Sequence, residues 1–120
     1  MFAQPPRRGE IWFVETPGQP FDPHQPRPGL VVSSNARNRN ADDVIVVPIF
    51  SEGILGPTHV SVVKGVGGIP RDSVAFCEEI TTIHHDFVSH GPLGPPVSSD
   101  LLAKVVRAVR RALGETVLEP

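Results

Sequence analysis

Short apolar stretches separated by glycine and proline cover most of the chain, and they predict strands rather than helices. The predicted strands occupy residues 10–16, 30–33, 43–50, 58–64 and 72–79. In the first strand, Ile11 and Phe13 lie on one face while Trp12 and Val14 lie on the other, so both faces must be covered. The chain of 120 residues contains 14 prolines and 11 glycines, which agrees with short strands joined by many turns.

The segments between these strands are predicted to be loops and turns. Residues 17–26 carry four prolines, and residues 34–42 are polar and asparagine-rich, which is typical of a turn or the tip of a long hairpin. Residues 82–87 are predicted to form a turn of helix. Pro48 indicates that the far end of the third strand lies at an edge or a bulge, because proline cannot donate to a strand ladder.

One longer helix is predicted near the C-terminus. Apolar positions recur with helical spacing through residues 100–113, and most basic side chains lie off that stripe. Ser98 or Ser99 is suited to the N-cap, and Gly114 is suited to end the helix. Five short strands and one terminal helix predict a mainly β fold, a small and strongly curved antiparallel barrel that forms a single domain over residues 1–120.

Composition narrows the class of protein further. No apolar run approaches the roughly 20 residues of a membrane span, and the first residues lack the pattern of a signal peptide. The single cysteine, Cys77, forms no internal disulfide, which favours a cytoplasmic protein. Because Cys77 follows three apolar residues, we expect it to be buried rather than catalytic.

Charge is distributed unevenly along the chain, although the net charge is only −2. Residues 1–40 contain five arginines and three carboxylates, a net of +2, whereas residues 41–97 contain two basic and seven acidic residues, a net of −5. A local basic surface binds phosphates even on an acidic molecule. The charge pattern therefore permits RNA binding without predicting it.

Metal-dependent and serine-nucleophile chemistry find little support in the sequence. None of the five histidines shares helical spacing with another on a credible helix, and there is no cysteine pair, so we expect neither a metal nor another cofactor. The chain lacks a Gly-x-Ser-x-Gly motif. The glycine-rich residues 65–68 lack the lysine and following helix of a phosphate loop, and indicate a flexible turn.

Four polar side chains at strand ends and in the first loop are suited to metal-independent RNA cleavage: Arg27, Ser51, Glu78 and His24. In this reaction the ribose 2′-OH attacks its own phosphate, which requires a base, an acid and a cation that stabilises the phosphorane. Arginine suits the last role, and Arg27 is held at a strand start by Pro28. A surface ion pair for Arg27 and a solvated strand end for Glu78 are the alternative interpretations.

Several motifs in order make the chain resemble the MazF/PemK family of toxins over nearly its full length. Residues 8–12 read Arg-Gly-Glu-Ile-Trp, residues 27–33 read Arg-Pro-Gly-Leu-Val-Val-Ser, and residues 46–49 read Val-Val-Pro-Ile. These segments are similar to the family's opening, second and central strands. Residues 71–75 and 78–83 resemble the strand and turn that precede the family's terminal helix.

The resemblance implies a CcdB- and MazF-like fold, an SH3-like barrel with a terminal helix. It also implies a homodimeric endoribonuclease toxin of a type II toxin–antitoxin system, which cleaves single-stranded mRNA at short motifs and is held inactive by an antitoxin. Arg27 would inherit the family's catalytic arginine, with Ser51 and Glu78 as further catalytic residues. RNA-binding positions would be Phe21, His24, Gln25, Arg37, Asn38 and Glu52. A dimer interface would also cover the first strand and the helix stripe.

Two departures from the family pattern leave an alternative open. Phe50 stands where the family has a threonine, and Phe76 stands where some members have a second arginine. Ser51 would then donate a hydrogen bond in place of the threonine, and Glu78 or His24 would act as acid or base. The alternative function is a non-catalytic binding module on the same fold, such as a DNA gyrase poison.

Overall fold

The computed structural model describes residues 4–15 and 26–118, and it places seven strands and two α-helices within them. The strands are β1 (Ile11–Val14), β2 (Arg27–Val31), β3 (Asp43–Phe50), β4 (His59–Val62), β5 (Ser73–Phe76), β6 (Thr81–His84) and β7 (Val88–His90). The helices are α1 (Asn35–Asn40) and α2 (Ser99–Ala112). Short 3₁₀ turns occupy Val66–Gly68, Cys77–Glu79 and His85–Phe87. None of the described helices is long and apolar enough to cross a lipid bilayer.

The strands form one curled antiparallel sheet in the order β4-β5-β3-β2-β1-β7. Strand β3 pairs with β2 along one side, and on the other side it pairs first with β6 and then with β5. Pro48 lies where β3 changes partner, between Val46 opposite β6 and Ile49 opposite β5, so its missing N–H disturbs neither ladder. This curled sheet with its C-terminal helix confirms the predicted fold class.

Three local predictions from the sequence differ from the structure. Residues 34–42 are not a hairpin tip, because the Ser34 side chain accepts a hydrogen bond from the Arg37 backbone N–H and starts helix α1. The helical turn predicted over residues 82–87 is shorter, since a 3₁₀ turn occupies only His85–Phe87 and the preceding residues belong to β6, whose Ile83 is buried opposite Val44 of β3. The strand predicted over residues 72–79 ends at Phe76, where the chain turns into the 3₁₀ segment Cys77–Glu79.

Two apolar clusters cover the two faces of the sheet. The larger contains Ile11, Leu30 and Val47 together with α2, and the smaller contains Trp12, Val14 and strand residues from β2, β3, β6 and β7. Both faces of β1 are therefore covered within a single chain, and a dimer is not needed to explain its apolar residues.

Helix α2 packs on the larger cluster through its apolar stripe. Ser98 caps it by accepting a hydrogen bond from the Leu101 N–H, as predicted. Val105 and Ala108 are fully buried, whereas Leu113 at the end of the stripe is 75% exposed. Most of the stripe therefore packs within the chain and does not form an exposed apolar surface.

Cys77 is fully buried in the larger cluster, which confirms the prediction. Burial raises the pKa of its thiol to about 12, with a smaller contribution from the neighbouring carboxylate of Glu78. A thiol with that pKa is a poor nucleophile at neutral pH.

Candidate active site

Arg27 is the first residue of β2, where it lies opposite Val14 of β1. The β2–β3 register pairs Gly29 with Pro48, so the antiparallel ladder brings Arg27 beside Phe50, the last residue of β3. The guanidinium carbon of Arg27 lies 4.6 Å from the centre of the Phe50 ring. At this distance the ring attracts the cation and helps to hold the guanidinium beside it.

This contact forms one wall of a cleft of about 350 Å³. Ser51, which directly follows β3, lines the cleft together with Arg71 and Ser73 at the start of β5. The apolar lining comes from Phe13, Pro26, Pro28, Ile49, Phe50, Ile69 and Pro70. The cleft is therefore shaped for a ligand with an anionic group and an apolar or aromatic part.

Two arginines face the same cleft, although the sequence singled out only one. Arg71 is exposed, and no hydrogen bond or ion pair of its guanidinium occurs among the described residues. It lies two residues before β5, much as Arg27 begins β2. Only the pairing of β5 with β3 brings these two strand starts together, and the sequence does not reveal that pairing.

A row of three rings leads from Arg27 and Phe50 away from the cleft. The Phe50 and Phe76 ring centres are 4.5 Å apart at an angle of 46°, and the Phe76 and His59 ring centres are 4.0 Å apart at 13°. His59 and Phe76 lie directly opposite each other in the β4–β5 ladder. The two phenylalanines that depart from the family pattern thus pack on each other and support the guanidinium.

His59 ends this row in an ion pair with Glu78. Its Nε2 lies 2.8 Å from Glu78 Oε2, and its Nδ1 lies 2.7 Å from the Ile54 carbonyl oxygen. The hydrogen bond to Glu78, followed by that to Ile54, raises the pKa of His59 above its usual 6.5. For Glu78, partial burial would raise the pKa of the carboxyl, but hydrogen bonds from His59, its own backbone N–H and Thr58 together lower it below 4.5.

The structure brings together only part of the predicted site. Arg27 and Ser51 line one cleft, whereas Glu78 is not among its lining residues and reaches it only through His59 and the ring row. Glu52 is exposed on the loop after β3. The predicted RNA-binding residues Phe21, His24 and Gln25 lie outside the described residues.

The two predicted RNA-binding residues of α1 are engaged inside the chain. Arg37 forms an ion pair with Asp43 and donates a second hydrogen bond to the Asp43 backbone carbonyl. Asn38 is 1% exposed; it accepts a hydrogen bond from the Ser33 hydroxyl and donates one to the Ser33 carbonyl. Because the Asn38 side chain is buried and bonded to Ser33, it stabilises the fold, and its contact with RNA stays a prediction.

The chemistry available in the cleft is that of cations and hydroxyl groups. Two guanidinium groups and the Ser51 hydroxyl are suited to bind phosphate oxygens by charge-assisted hydrogen bonds, whereas the Ser73 hydroxyl donates to the Arg71 backbone carbonyl. Within residues 4–15 and 26–118, no cluster of three or more His, Cys, Asp and Glu side chains is arranged to hold a metal ion. A phosphodiester with its flanking bases matches both the polar and the apolar lining.

Comparisons with known proteins agree with this geometry. A model of the PemK-like, MazF-like toxins of type II toxin–antitoxin systems matches residues 7–113. A mycobacterial endoribonuclease solved in complex with its cognate antitoxin is 26% identical, with a TM-score of 0.75 over 94% of this chain and 99% of that chain. A second mycobacterial endoribonuclease structure is 27% identical, with a TM-score of 0.74 over 95% and 96% of the two chains.

A more distant structure shares the fold. MazF from Deinococcus radiodurans is 21% identical, with a TM-score of 0.77 over 92% of this chain and 98% of that chain. No curated protein sequence matches the chain significantly. The family match and the structural similarities confirm the resemblance found in the sequence.

Proposed function

Because the chain belongs to the PemK-like, MazF-like toxin family of type II toxin–antitoxin systems, we propose that it is an endoribonuclease toxin. In this proposal it cleaves single-stranded RNA at short sequence motifs without a metal ion. The observation that carries the proposal is the cleft in which Arg27, oriented by Phe50, faces the same space as Arg71 and Ser51. Two relatives that are at least 26% identical are endoribonucleases.

The cleft supplies charge stabilisation for attack of the ribose 2′-OH on the adjacent phosphorus. The new bond joins O2′ to phosphorus, the bond to O5′ breaks, and the products carry a 2′,3′-cyclic phosphate and a 5′-hydroxyl. Arg27 binds the equatorial oxygens, whose negative charge grows in the transition state, through its planar fork. Ser51 donates a hydrogen bond in the place of the threonine that other members have, and Arg71 neutralises a flanking phosphate.

Proton transfer in this reaction needs a base for the 2′-OH and an acid for the leaving O5′. No carboxylate or imidazole belongs to the described lining of the cleft. His24 and Glu78 are the residues that we propose for these roles. His24 precedes Arg27 by three positions in the sequence, and Glu78 is connected to the cleft through His59 and the rings of Phe76 and Phe50.

The partners and the location follow from the same proposal. A mycobacterial relative was solved with its cognate antitoxin, and the Deinococcus radiodurans relative was solved as a MazE–MazF complex. We propose that this chain likewise binds an antitoxin, acts as a homodimer and works in the cytoplasm. An acidic antitoxin segment is expected to compete with RNA for the arginines of the cleft.

The proposal is tested by incubating the purified chain with a long defined RNA in excess EDTA. We expect discrete fragments whose ends carry 2′,3′-cyclic phosphate and 5′-hydroxyl, and mapping of these ends defines the recognised motif. Arg27→Ala serves as the control for a contaminating nuclease. Intact RNA under all conditions would contradict the proposal and favour a non-catalytic binding module.

A further inference from the structure

The loop that joins β3 to β4, residues 51–57, carries Ser51 and has little apolar packing of its own. Ile54 is 85% exposed and Leu55 is 59% exposed, so burial of these side chains does not hold the loop. Gly53 lies against Phe76 so closely that a Cβ added there would come within 2.6 Å of the ring. The loop position therefore depends on backbone packing and on polar contacts.

His59 supplies the polar contacts that fix the middle of this loop. Its Nδ1 hydrogen-bonds the Ile54 carbonyl, its ring stacks on Phe76, and its Nε2 pairs with Glu78. The Ile54 carbonyl and the Glu78 carboxylate are both acceptors, so both ring nitrogens must donate. Only the doubly protonated imidazolium satisfies both contacts at once.

We propose that His59 is a positioning residue for RNA cleavage: as the imidazolium it fastens residues 51–57 to Phe76 and Glu78 and so keeps Ser51 in the Arg27 cleft. This inference rests on the proposed function for its catalytic consequence. Loss of the ring proton removes one of the two hydrogen bonds and loosens the loop. Cleavage then becomes sensitive to pH although His59 does not touch the RNA.

The charged groups around His59 support this assignment. Glu78 and Glu79 on the adjoining 3₁₀ turn both favour the charged ring, and Glu52 is the acidic residue of the loop itself. At the far end of the loop, the Arg111 guanidinium donates to the Pro57 carbonyl at 3.4 Å. The thiol of Cys77 is buried in the core and stays neutral in this range.

The test compares the wild-type chain with His59→Phe, which retains a ring to stack on Phe76 but loses both hydrogen bonds. His84→Phe is the matched control, because His84 is an exposed histidine on β6 that bonds only its own local turn. Three quantities are measured between pH 5.5 and 9. They are the His59 titration midpoint by NMR, amide hydrogen exchange of residues 52–56 without RNA, and kcat and KM for a defined RNA.

We expect the hydrogen-exchange protection of the wild-type loop to fall about tenfold as the pH rises through the His59 titration midpoint. This decrease corresponds to the loss of about one hydrogen bond. His59→Phe should show the low protection at every pH and a kcat reduced by about tenfold, without the wild-type alkaline decline. His84→Phe should behave like the wild type, and KM should change less than kcat.

Equal loop protection in the wild type and His59→Phe would overturn the proposal, and so would a wild-type pH profile of kcat in His59→Phe. If the wild type cleaves no RNA at any pH, the proposed function fails. In that case the hydrogen-exchange comparison, which needs no RNA, still decides whether His59 holds the loop.

Discussion

Replacing Asn38 by alanine separates a structural role of this helix α1 residue from a role in RNA contact. Asn38 makes two buried hydrogen bonds with Ser33, each worth about 1 kcal/mol net. Removing the amide also leaves buried polar groups of Ser33 without these hydrogen bonds, which costs about 1 kcal/mol more in the free energy of unfolding. The higher helix propensity of alanine offsets about 0.6 kcal/mol of this loss. We therefore expect Asn38→Ala to lower the free energy of unfolding by about 2.5 kcal/mol.

For a chain of this size the loss corresponds to about 10 °C in melting temperature, at about 4 °C per kcal/mol. The assay is thermal and urea unfolding followed by circular dichroism, with RNA affinity measured well below the melting temperature. Asn40→Ala is the control, since Asn40 lies on the same helix but is exposed. An unchanged melting temperature with weakened RNA binding would refute the structural role of Asn38.

Four further predictions concern stability and reactivity. Because the pKa of His59 is raised in the folded state, its protonation stabilises the fold fully below about pH 6.5, and this contribution is lost as the pH rises through the folded pKa. The melting-temperature difference between the wild type and His59→Phe should therefore shrink as the pH rises. A difference that does not depend on pH would contradict the ion pair. Because the pKa of Glu78 is lowered in the folded state, its ionised carboxylate stabilises the fold at higher pH, and this contribution is lost as the pH falls below 4.5 through the folded pKa. A Glu78→Gln variant should therefore approach wild-type stability only in that acidic range. A stability difference that stays constant with pH would contradict the stabilising role of the carboxylate. The Cys77 thiol, with a pKa of about 12, should resist a thiol reagent at pH 8 until the chain unfolds; rapid labelling of the native chain would show that it is accessible. Gly68→Ala should prevent stable folding, because the added Cβ would lie 2.3 Å from the Leu93 carbonyl oxygen at a φ of +88°, and a stable variant on denaturant titration would exclude that close approach.

Local patterns predicted the strands that are long and apolar. Strand β3 has the predicted bounds, and α2 begins after the predicted N-cap Ser98 because apolar spacing and a capping serine agree there. Strands β6 and β7 were missed because their short segments alternate weakly and are stabilised by pairing with distant residues. Helix α1 was missed because its asparagines favour turns, and the cap at Ser34 outweighed that preference.

The sequence predicted the part of the site that lies at the start of a single strand. Arg27 and Pro28 are adjacent in sequence, so a fixed arginine is expected from the backbone constraint alone. The contributions of Arg71 and His59 depend on strand register, because β5 must lie beside both β3 and β4 to bring them to the cleft and to Phe76. Such long-range pairing is not encoded in any local spacing.

The central claim is that Arg27 in this cleft stabilises the transition state of RNA cleavage. Single-turnover cleavage of a defined RNA at saturating concentration in EDTA tests this claim most directly. The wild type, Arg27→Lys and Arg27→Ala are compared once thermal unfolding has shown that their melting temperatures agree. We predict a loss of roughly 10²–10³-fold in Arg27→Ala, and a clear loss in Arg27→Lys, which keeps the charge but not the planar fork. Cleavage of the same RNA at the wild-type rate by Arg27→Ala would contradict the account.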